Sequence, residues 1–188
     1  SPVTAHEPDQ EQALTLTRNW VERIVIGMNL CPFAARDWDQ GRVRCTVCDA
    51  SDEADVLLAL AAELQLLERD DTIETTLLVL THALDDFDDF NQFLDLADAL
   101  LASLDYDGVY QLATFHPDYV FANSDADDPA NCSNRSPLPV LHLLREASLT
   151  EAITRHPDTA QIPERNVRFL RQQGIEAIAR RLNPDDAD

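Results

Sequence analysis

The sequence predicts an α/β fold: a single small domain with a three- to four-stranded parallel or mixed sheet flanked by helices, and extra C-terminal helices. Two observations predict it. Short β-prone segments alternate with helical segments of about 15 to 20 residues, which is the pattern of βαβ crossovers. The chain has 188 residues, 45% of them hydrophobic, and is long enough for one core. We assign the domain to residues 11–183 and expect disordered tails at 1–10 and 184–188.

The first half of the chain alternates helix and strand. Residues 12–28 carry apolar side chains at helical spacing, which predicts the first helix. Residues 42–48 alternate apolar and polar, as a half-buried strand does. A helix is predicted over 51–68, with acidic residues in its first turn. The continuous apolar run at 75–81 predicts a strand covered on both faces.

The second half starts with an acidic amphipathic helix at 87–104 and a third strand at 108–115. The irregular segment 117–136 is longer than most connections in compact domains, which favours an active-site loop. Helices are predicted over 138–155 and 163–182. Sites in such sheets usually lie at the carboxyl ends of the strands. We therefore expect the pocket at that edge.

The composition excludes several classes of function. The formal net charge is −21, the sequence pI is near 4.3, and all 14 basic residues are arginine. Without lysine there is no Schiff-base lysine, lysine base or Walker-type phosphate-binding lysine. The acidic field would repel nucleic acid and anionic membranes, so we expect neither as a partner. A generally acid-rich surface is favoured over one built for a cationic partner.

Four cysteines suggest reduced thiols rather than disulfides: Cys31, Cys45, Cys48 and Cys132. The chain shows no signal-peptide pattern and is too large to need disulfides, so we expect a cytoplasmic protein. Cys45 and Cys48 match C-x-x-C, but a strand would direct them to opposite faces, which argues against a redox or zinc pair.

Residues 115–146 hold an unusual density of chemically capable side chains. His116 follows the third strand, with Asp118 two residues later; this pair suits general acid–base chemistry, or merely caps a strand end. On a helix, His142 and Glu146 are i and i+4 and would share one face. Such a pair can chelate a metal, orient a base or form an ordinary surface hydrogen bond.

Two further residues are candidates for catalysis and anion binding. Cys31 precedes Pro32 at a helical turn, where free backbone N–H groups lower a thiol pKa, although a small buried apolar role is commoner. Arg135 stands beside the predicted N-terminus of the helix that starts after Ser136. It is a plausible carboxylate or phosphate site, or a salt-bridge partner in an acidic chain.

Four segments carry a family resemblance: 29–34, 108–121, 134–146 and 162–166. Through them the chain resembles uncharacterised bacterial proteins known as domain of unknown function 1415. The resemblance implies a shared architecture and a bacterial origin, but no reaction. Its motifs, as they stand in this sequence, include Cys31, His116, Asp118, Tyr119, Asn134, Arg135, Ser136, His142, Arg145 and Glu146.

The leading functional hypothesis is an enzyme of acyl or thiol transfer acting on a small anionic substrate. Cys31 would be the nucleophile, and His116 and His142 would move protons, supported by Asp118 and Glu146. The residues expected to bind the substrate are Arg135, Asn134, Tyr119 and Arg145.

Two alternatives remain open. In the first, iron or zinc is held by His116, His142 and Glu146, with Cys31 as a further ligand. In the second, the chain is a non-catalytic acidic interaction module. The sequence specifies neither the oligomeric state nor the substrate.

Overall fold

The structure is a computed structural model that describes residues 7–186. The predicted disorder of residues 1–6 and 187–188 lies outside this range. Within it, Asp9 already belongs to the fold, because its side chain and that of Gln12 form a reciprocal capping box on the first helix. At the other end, Pro184–Asp186 forms a short 3-10 turn.

Up to residue 115 the described chain alternates helices and strands in the predicted order, with one further short helix, Ala34–Asp39, that the sequence pattern did not predict. The helices are α1 (Gln10–Trp20), α2 (Ala34–Asp39), α3 (Glu53–Arg69), α4 (Phe87–Ser103), α5 (Glu146–Arg155), α6 (Ile162–Gln173) and α7 (Ile175–Leu182). The strands are β1 (Val43–Cys48), β2 (Thr75–Leu80), β3 (Tyr110–Phe115) and β4 (Val140–Arg145). Further 3-10 turns span Pro129–Asn134 and Pro157–Gln161.

The four strands form one mixed sheet in the order β1-β2-β4-β3. β1 and β2 are parallel, and β4 runs antiparallel to both β2 and β3. The predicted α/β class is therefore confirmed.

The predicted helix over 138–155 is wrong in its first half, which is strand β4. A central strand buried on both faces gives a nearly continuous apolar run, and periodicity alone does not separate that run from a buried helix.

Alternation along β4 divides the core between the two faces of the sheet. Leu141 and Leu143 pack with α3 and α4 on one face, whereas Val140 packs with α1, α6 and α7 on the other. Successive strand side chains point to opposite faces, so His142 and Leu144 share the second face with Val140.

Two local features shape that second face. Helix α1 continues as a π-helical segment, Val21–Ile26, of the kind often found beside functional sites. It ends at Gly27, where an added Cβ would lie 2.4 Å from the Arg23 carbonyl oxygen. The predicted helix 163–182 is two helices, because Gly174 adopts a φ of 81° between α6 and α7.

Arg145 closes the connection between α3 and β2. Its guanidinium donates to the carbonyl oxygens of Leu67 (2.8 Å), Asp70 (3.0 Å) and Ile73 (2.7 Å). These carbonyls lie at the C-terminal end of α3 and just beyond it, where backbone acceptors lack helical partners. Arg145 was expected to bind substrate, and the structure gives it this carbonyl-capping role.

We expect Arg145→Met to lower the free energy of unfolding by roughly 2–3 kcal/mol, because the half-buried carbonyl cluster loses its charged donor. Chemical denaturation measures the change. The control is Arg155→Met, which removes an exposed i,i+4 pair with Glu151 and should have a small fraction of the effect. Equal effects of the two substitutions would contradict the capping role.

Candidate functional site

A cavity of about 200 Å³ lies on the second face of the sheet and opens to solvent. We call it the main cavity. Its walls are largely aromatic and aliphatic: Trp20, Val21, Phe33, Trp38, Phe115 and Leu144. Residues of α2 and α5, two short helices without a buried residue, also line it. The rings of Phe33, just before α2, and His156, just after α5, have centroids 5.1 Å apart.

The main cavity lies toward the amino ends of the parallel strands, not at the carboxyl edge where the sequence pattern placed it. The first residues of β1 and β2, Val43 and Thr75, line it together with His142 and Leu144 of β4. Because β4 runs antiparallel, its second half lies beside the beginning of β2. The inserted strand therefore brings a histidine to the edge that an all-parallel sheet uses less often.

Thr75 fixes the orientation of the His142 ring. The Thr75 hydroxyl donates to the Leu143 carbonyl oxygen at 2.6 Å and lies 2.7 Å from His142 Nε2. Since the hydroxyl has one proton and uses it on Leu143, it must accept from Nε2–H. The neutral imidazole therefore carries its proton on Nε2. Nδ1 has no hydrogen-bond partner in residues 7–186, and it is not sealed within the core.

His142 is neutral at physiological pH. Burial lowers the pKa of its imidazole from 6.5 to about 4, because an imidazolium would lose its hydration. The ring is half-buried by surface area but lies deep in the molecule, at the bottom of the main cavity. His142 Nδ1 is therefore a ring nitrogen without a proton and without a hydrogen-bond partner in residues 7–186, and it faces the mostly apolar main cavity.

Cys31 also lines the main cavity. Burial raises the pKa of its thiol, and nearby Asp37 adds to the rise, while backbone N–H groups of Phe33 and Ala34 lower it. Burial dominates, so the resting group is a thiol rather than a thiolate. A second groove of about 460 Å³ shares Val25, Cys31 and Phe115 with the main cavity, so Cys31 stands where the two spaces meet.

His116 does not join this site. It follows Phe115, whose ring packs with Trp20 on the cavity face at 4.9 Å, and its own ring lies instead between Phe87 and Phe90 of α4. Nδ1 accepts from the Asp118 backbone N–H at 3.1 Å, so Nε2 carries the proton and donates to the Leu84 carbonyl oxygen at 3.0 Å. Both ring nitrogens are engaged in hydrogen bonds within the fold, and His116 is not among the residues that line the main cavity.

The predicted helical pair of His142 and Glu146 does not exist. His142 is in a strand, and Glu146 is the first residue of α5. Asp118 is exposed and contributes its backbone N–H, rather than its carboxylate, to His116. The proposed metal ligands are not brought together, and no group of three or more His, Cys, Asp or Glu within residues 7–186 is arranged to hold a metal ion.

The polar segment around Arg135 braces the loop 117–136. Arg135 donates to the carbonyl oxygens of Tyr119 (2.9 Å) and Ala126 (2.7 Å). Asn134 donates to the Thr114 carbonyl oxygen at 3.0 Å and is one of the residues lining the second groove. The Tyr119 ring packs on Phe87. These contacts give the three residues loop-stabilising roles away from the main cavity.

Thr75, Asp37 and Glu74 belong to the main cavity and were not singled out from the sequence. None stands in a motif that indicates chemistry. Asp37 is half-buried, and the pKa of its carboxyl is raised by burial and by the nearby Glu74.

The prediction that Cys45 and Cys48 point to opposite faces of a strand is confirmed. The two thiols are unpaired and pack in opposite halves of the core.

We expect His142 to titrate near pH 4 by NMR, with its signal assigned through its loss in His142→Gln. The unfolded chain binds this proton near pH 6.5, so the wild type loses stability relative to His142→Gln as the pH falls from about 6.5 to about 4, and not above that window. The difference should reach roughly 3 kcal/mol. A titration at or above pH 6.5 would contradict a buried neutral imidazole.

Two comparisons with known proteins give no relative. No curated protein and no solved structure matches the chain significantly. Among the helices of residues 7–186, none has the length and apolar character needed to cross a membrane.

A third comparison, with protein-family models, does match. The model described as "Protein of unknown function (DUF1415)" covers residues 12–180, a range that includes Cys31, His116, His142 and the whole sheet. The match spans most of the chain and agrees with the family that the sequence motifs resemble. The chain belongs to the DUF1415 family.

Proposed function

We propose that the main cavity binds one small, mainly apolar molecule that donates a hydrogen bond to His142 Nδ1. The observation that supports this most directly is the ring orientation: Thr75 occupies Nε2 and leaves Nδ1 without a partner among the described residues. Nδ1 lies at the cavity and is not sealed within the core. A ligand donor that pairs with it gains a hydrogen bond worth about 0.5–1.5 kcal/mol net.

The dimensions of the main cavity suit a ring-sized molecule. A closed apolar cavity of about 150 Å³ accommodates benzene, and the main cavity measures about 200 Å³. One aromatic ring with a short substituent therefore fits. The aromatic walls suit such a ring, because edge-to-face and offset contacts add to the area that it buries.

The earlier expectation of an anionic substrate has no supporting contact. Arg135 and Arg145 were expected to hold the anion, and their guanidinium groups donate to backbone carbonyl oxygens instead. Removing either group from its carbonyls to bind a ligand would leave those acceptors unpaired. A neutral or cationic ligand agrees better with the lining.

Phenol and toluene test the hydrogen bond. We expect phenol to bind the wild type about tenfold more tightly than toluene, because only phenol donates to Nδ1. NMR titration of backbone amides gives both affinities and shows whether the shifted residues line the main cavity. In His142→Phe the preference for phenol should vanish while toluene still binds.

Thr75→Val provides a second variant for the same test, since it frees Nε2 and removes the orientation of the ring. Phenol should then lose most of its advantage over toluene. Equal affinities of the wild type for phenol and toluene, or shifts confined to other surfaces, would contradict the proposal.

A second candidate function is thiol-dependent acyl transfer, favoured by the position of Cys31 between the main cavity and the second groove. The acyl group would occupy the cavity and the leaving group the groove. Sγ bonds to the acyl carbon as the leaving-group bond breaks, and the thiol proton passes through His142 Nδ1 to the leaving group. Water then hydrolyses the thioester and regenerates the thiol.

We expect p-nitrophenyl acetate to acetylate Cys31 and release nitrophenol in a burst. Mass spectrometry of the intact protein identifies the single acetyl group, and peptide mapping locates it. Cys31→Ser should abolish the burst. The control is Cys45→Ser, which should keep it, because the Cys45 thiol is half-buried, lies outside both spaces and has a pKa raised to about 11. Full turnover in Cys31→Ser would exclude this candidate.

A further inference from the structure

We propose that the main cavity selects an organic cation: a protonated amine carried on a ring-sized apolar body. This inference rests on the proposed binding function and names the class of ligand. The features that distinguish a cation from a neutral or anionic molecule are Asp37 and the aromatic walls.

Asp37 provides a carboxylate without a fixed partner. It lies on α2, is half-buried and lines the main cavity. No salt bridge or side-chain hydrogen bond engages its carboxylate among residues 7–186. Loss of hydration and the nearby Glu74 carboxylate both raise the pKa of Asp37, and they outweigh the opposite influence of Arg42 and Arg36. A carboxylate in this position is stabilised by a cation arriving from the cavity.

The other charged groups of the cavity are already paired. The Glu74 carboxylate forms a salt bridge with Arg42 at 3.0 Å. Arg145 lines the cavity, but its guanidinium is held by the three carbonyl oxygens at the end of α3. The charge left to interact with a ligand is therefore the negative charge of Asp37. An anion in the cavity would meet that charge without a free cationic group to offset it.

The walls also favour a cation. Trp20, Trp38, Phe33 and Phe115 line the same space, and the faces of aromatic rings attract ammonium groups. The N–H of an ammonium group satisfies the lone acceptor at His142 Nδ1 as well as a hydroxyl does. The net charge of −21 adds a long-range attraction for cations.

Three ligands of one size separate the possibilities: benzylamine, benzyl alcohol and benzoate, which are a cation, a neutral molecule and an anion at neutral pH. We expect benzylamine to bind about tenfold more tightly than benzyl alcohol at low salt, and benzoate to bind most weakly. Calorimetry gives the affinities, and backbone-amide shifts confirm that the ligand is in the cavity.

Asp37→Asn and Asp39→Asn form the matched pair of variants. Both remove one carboxylate from α2, but Asp39 is exposed and does not line the cavity. Asp37→Asn should weaken benzylamine about tenfold and leave benzyl alcohol within about twofold, which also reports that the variant is folded. Asp39→Asn should leave both ligands close to their wild-type affinities.

The outcomes distinguish this inference from the function on which it rests. If none of the three ligands enters the cavity, the proposed binding function fails. If benzyl alcohol binds as tightly as benzylamine, or if Asp37→Asn and Asp39→Asn behave alike, the binding function stands and the preference for a cation is wrong. Tightest binding of benzoate would overturn the inference and support the anionic substrate expected from the sequence.

Discussion

The pairing of β4 between β2 and β3 is the constraint on which both the core and the site depend. A strand in this position is covered on both faces, so each of its residues must suit one face or the other. Leu141 and Leu143 meet this requirement against α3 and α4. His142 meets it on the opposite face, where the hydroxyl of Thr75 on the neighbouring strand accepts a hydrogen bond from its Nε2–H. The Thr75–His142 hydrogen bond pairs Nε2 and, by fixing the ring, also orients Nδ1 toward the cavity.

In this lysine-free chain, arginine side chains form many hydrogen bonds to backbone carbonyl oxygens. Five guanidinium groups donate to carbonyl oxygens of distant segments: those of Arg23, Arg135, Arg145, Arg165 and Arg181. A guanidinium offers five donors in a fixed plane and can serve several carbonyls at once. This explains why an arginine isolated in the sequence is a weak indicator of an anion site here. Its partners are main-chain acceptors, which leave no signature in the residue pattern.

The sequence predicts the parts of the fold that local pattern determines. Three strands and the helices between them follow from spacing and alternation, and the strand interpretation of Cys45 and Cys48 holds. β4 is missed because its apolar run has no clear period, although Pro139 disfavours a helical conformation of Leu138.

The candidate site shows the same division between local and long-range information. Cys31 and His142 do line one cavity, whereas His116 points the other way because strand side chains alternate. Thr75 and Asp37 are ordinary in sequence and acquire their roles only through long-range pairing of strands and helices.

The charges around the cavity relate the binding proposals to the possibility of thiol chemistry. Burial raises the pKa of the Cys31 thiol and lowers that of the His142 imidazole, so the resting pair is neutral on both sides. A bound cation would favour the thiolate of Cys31 and disfavour the imidazolium of His142. Proton transfer from the Cys31 thiol to the His142 imidazole is therefore favoured by the stabilised thiolate and opposed by the destabilised imidazolium. An amine thus occupies the cavity as a ligand more readily than it promotes catalysis there, and acyl transfer is better served by a neutral substrate that leaves His142 Nδ1 free to accept the proton of the Cys31 thiol.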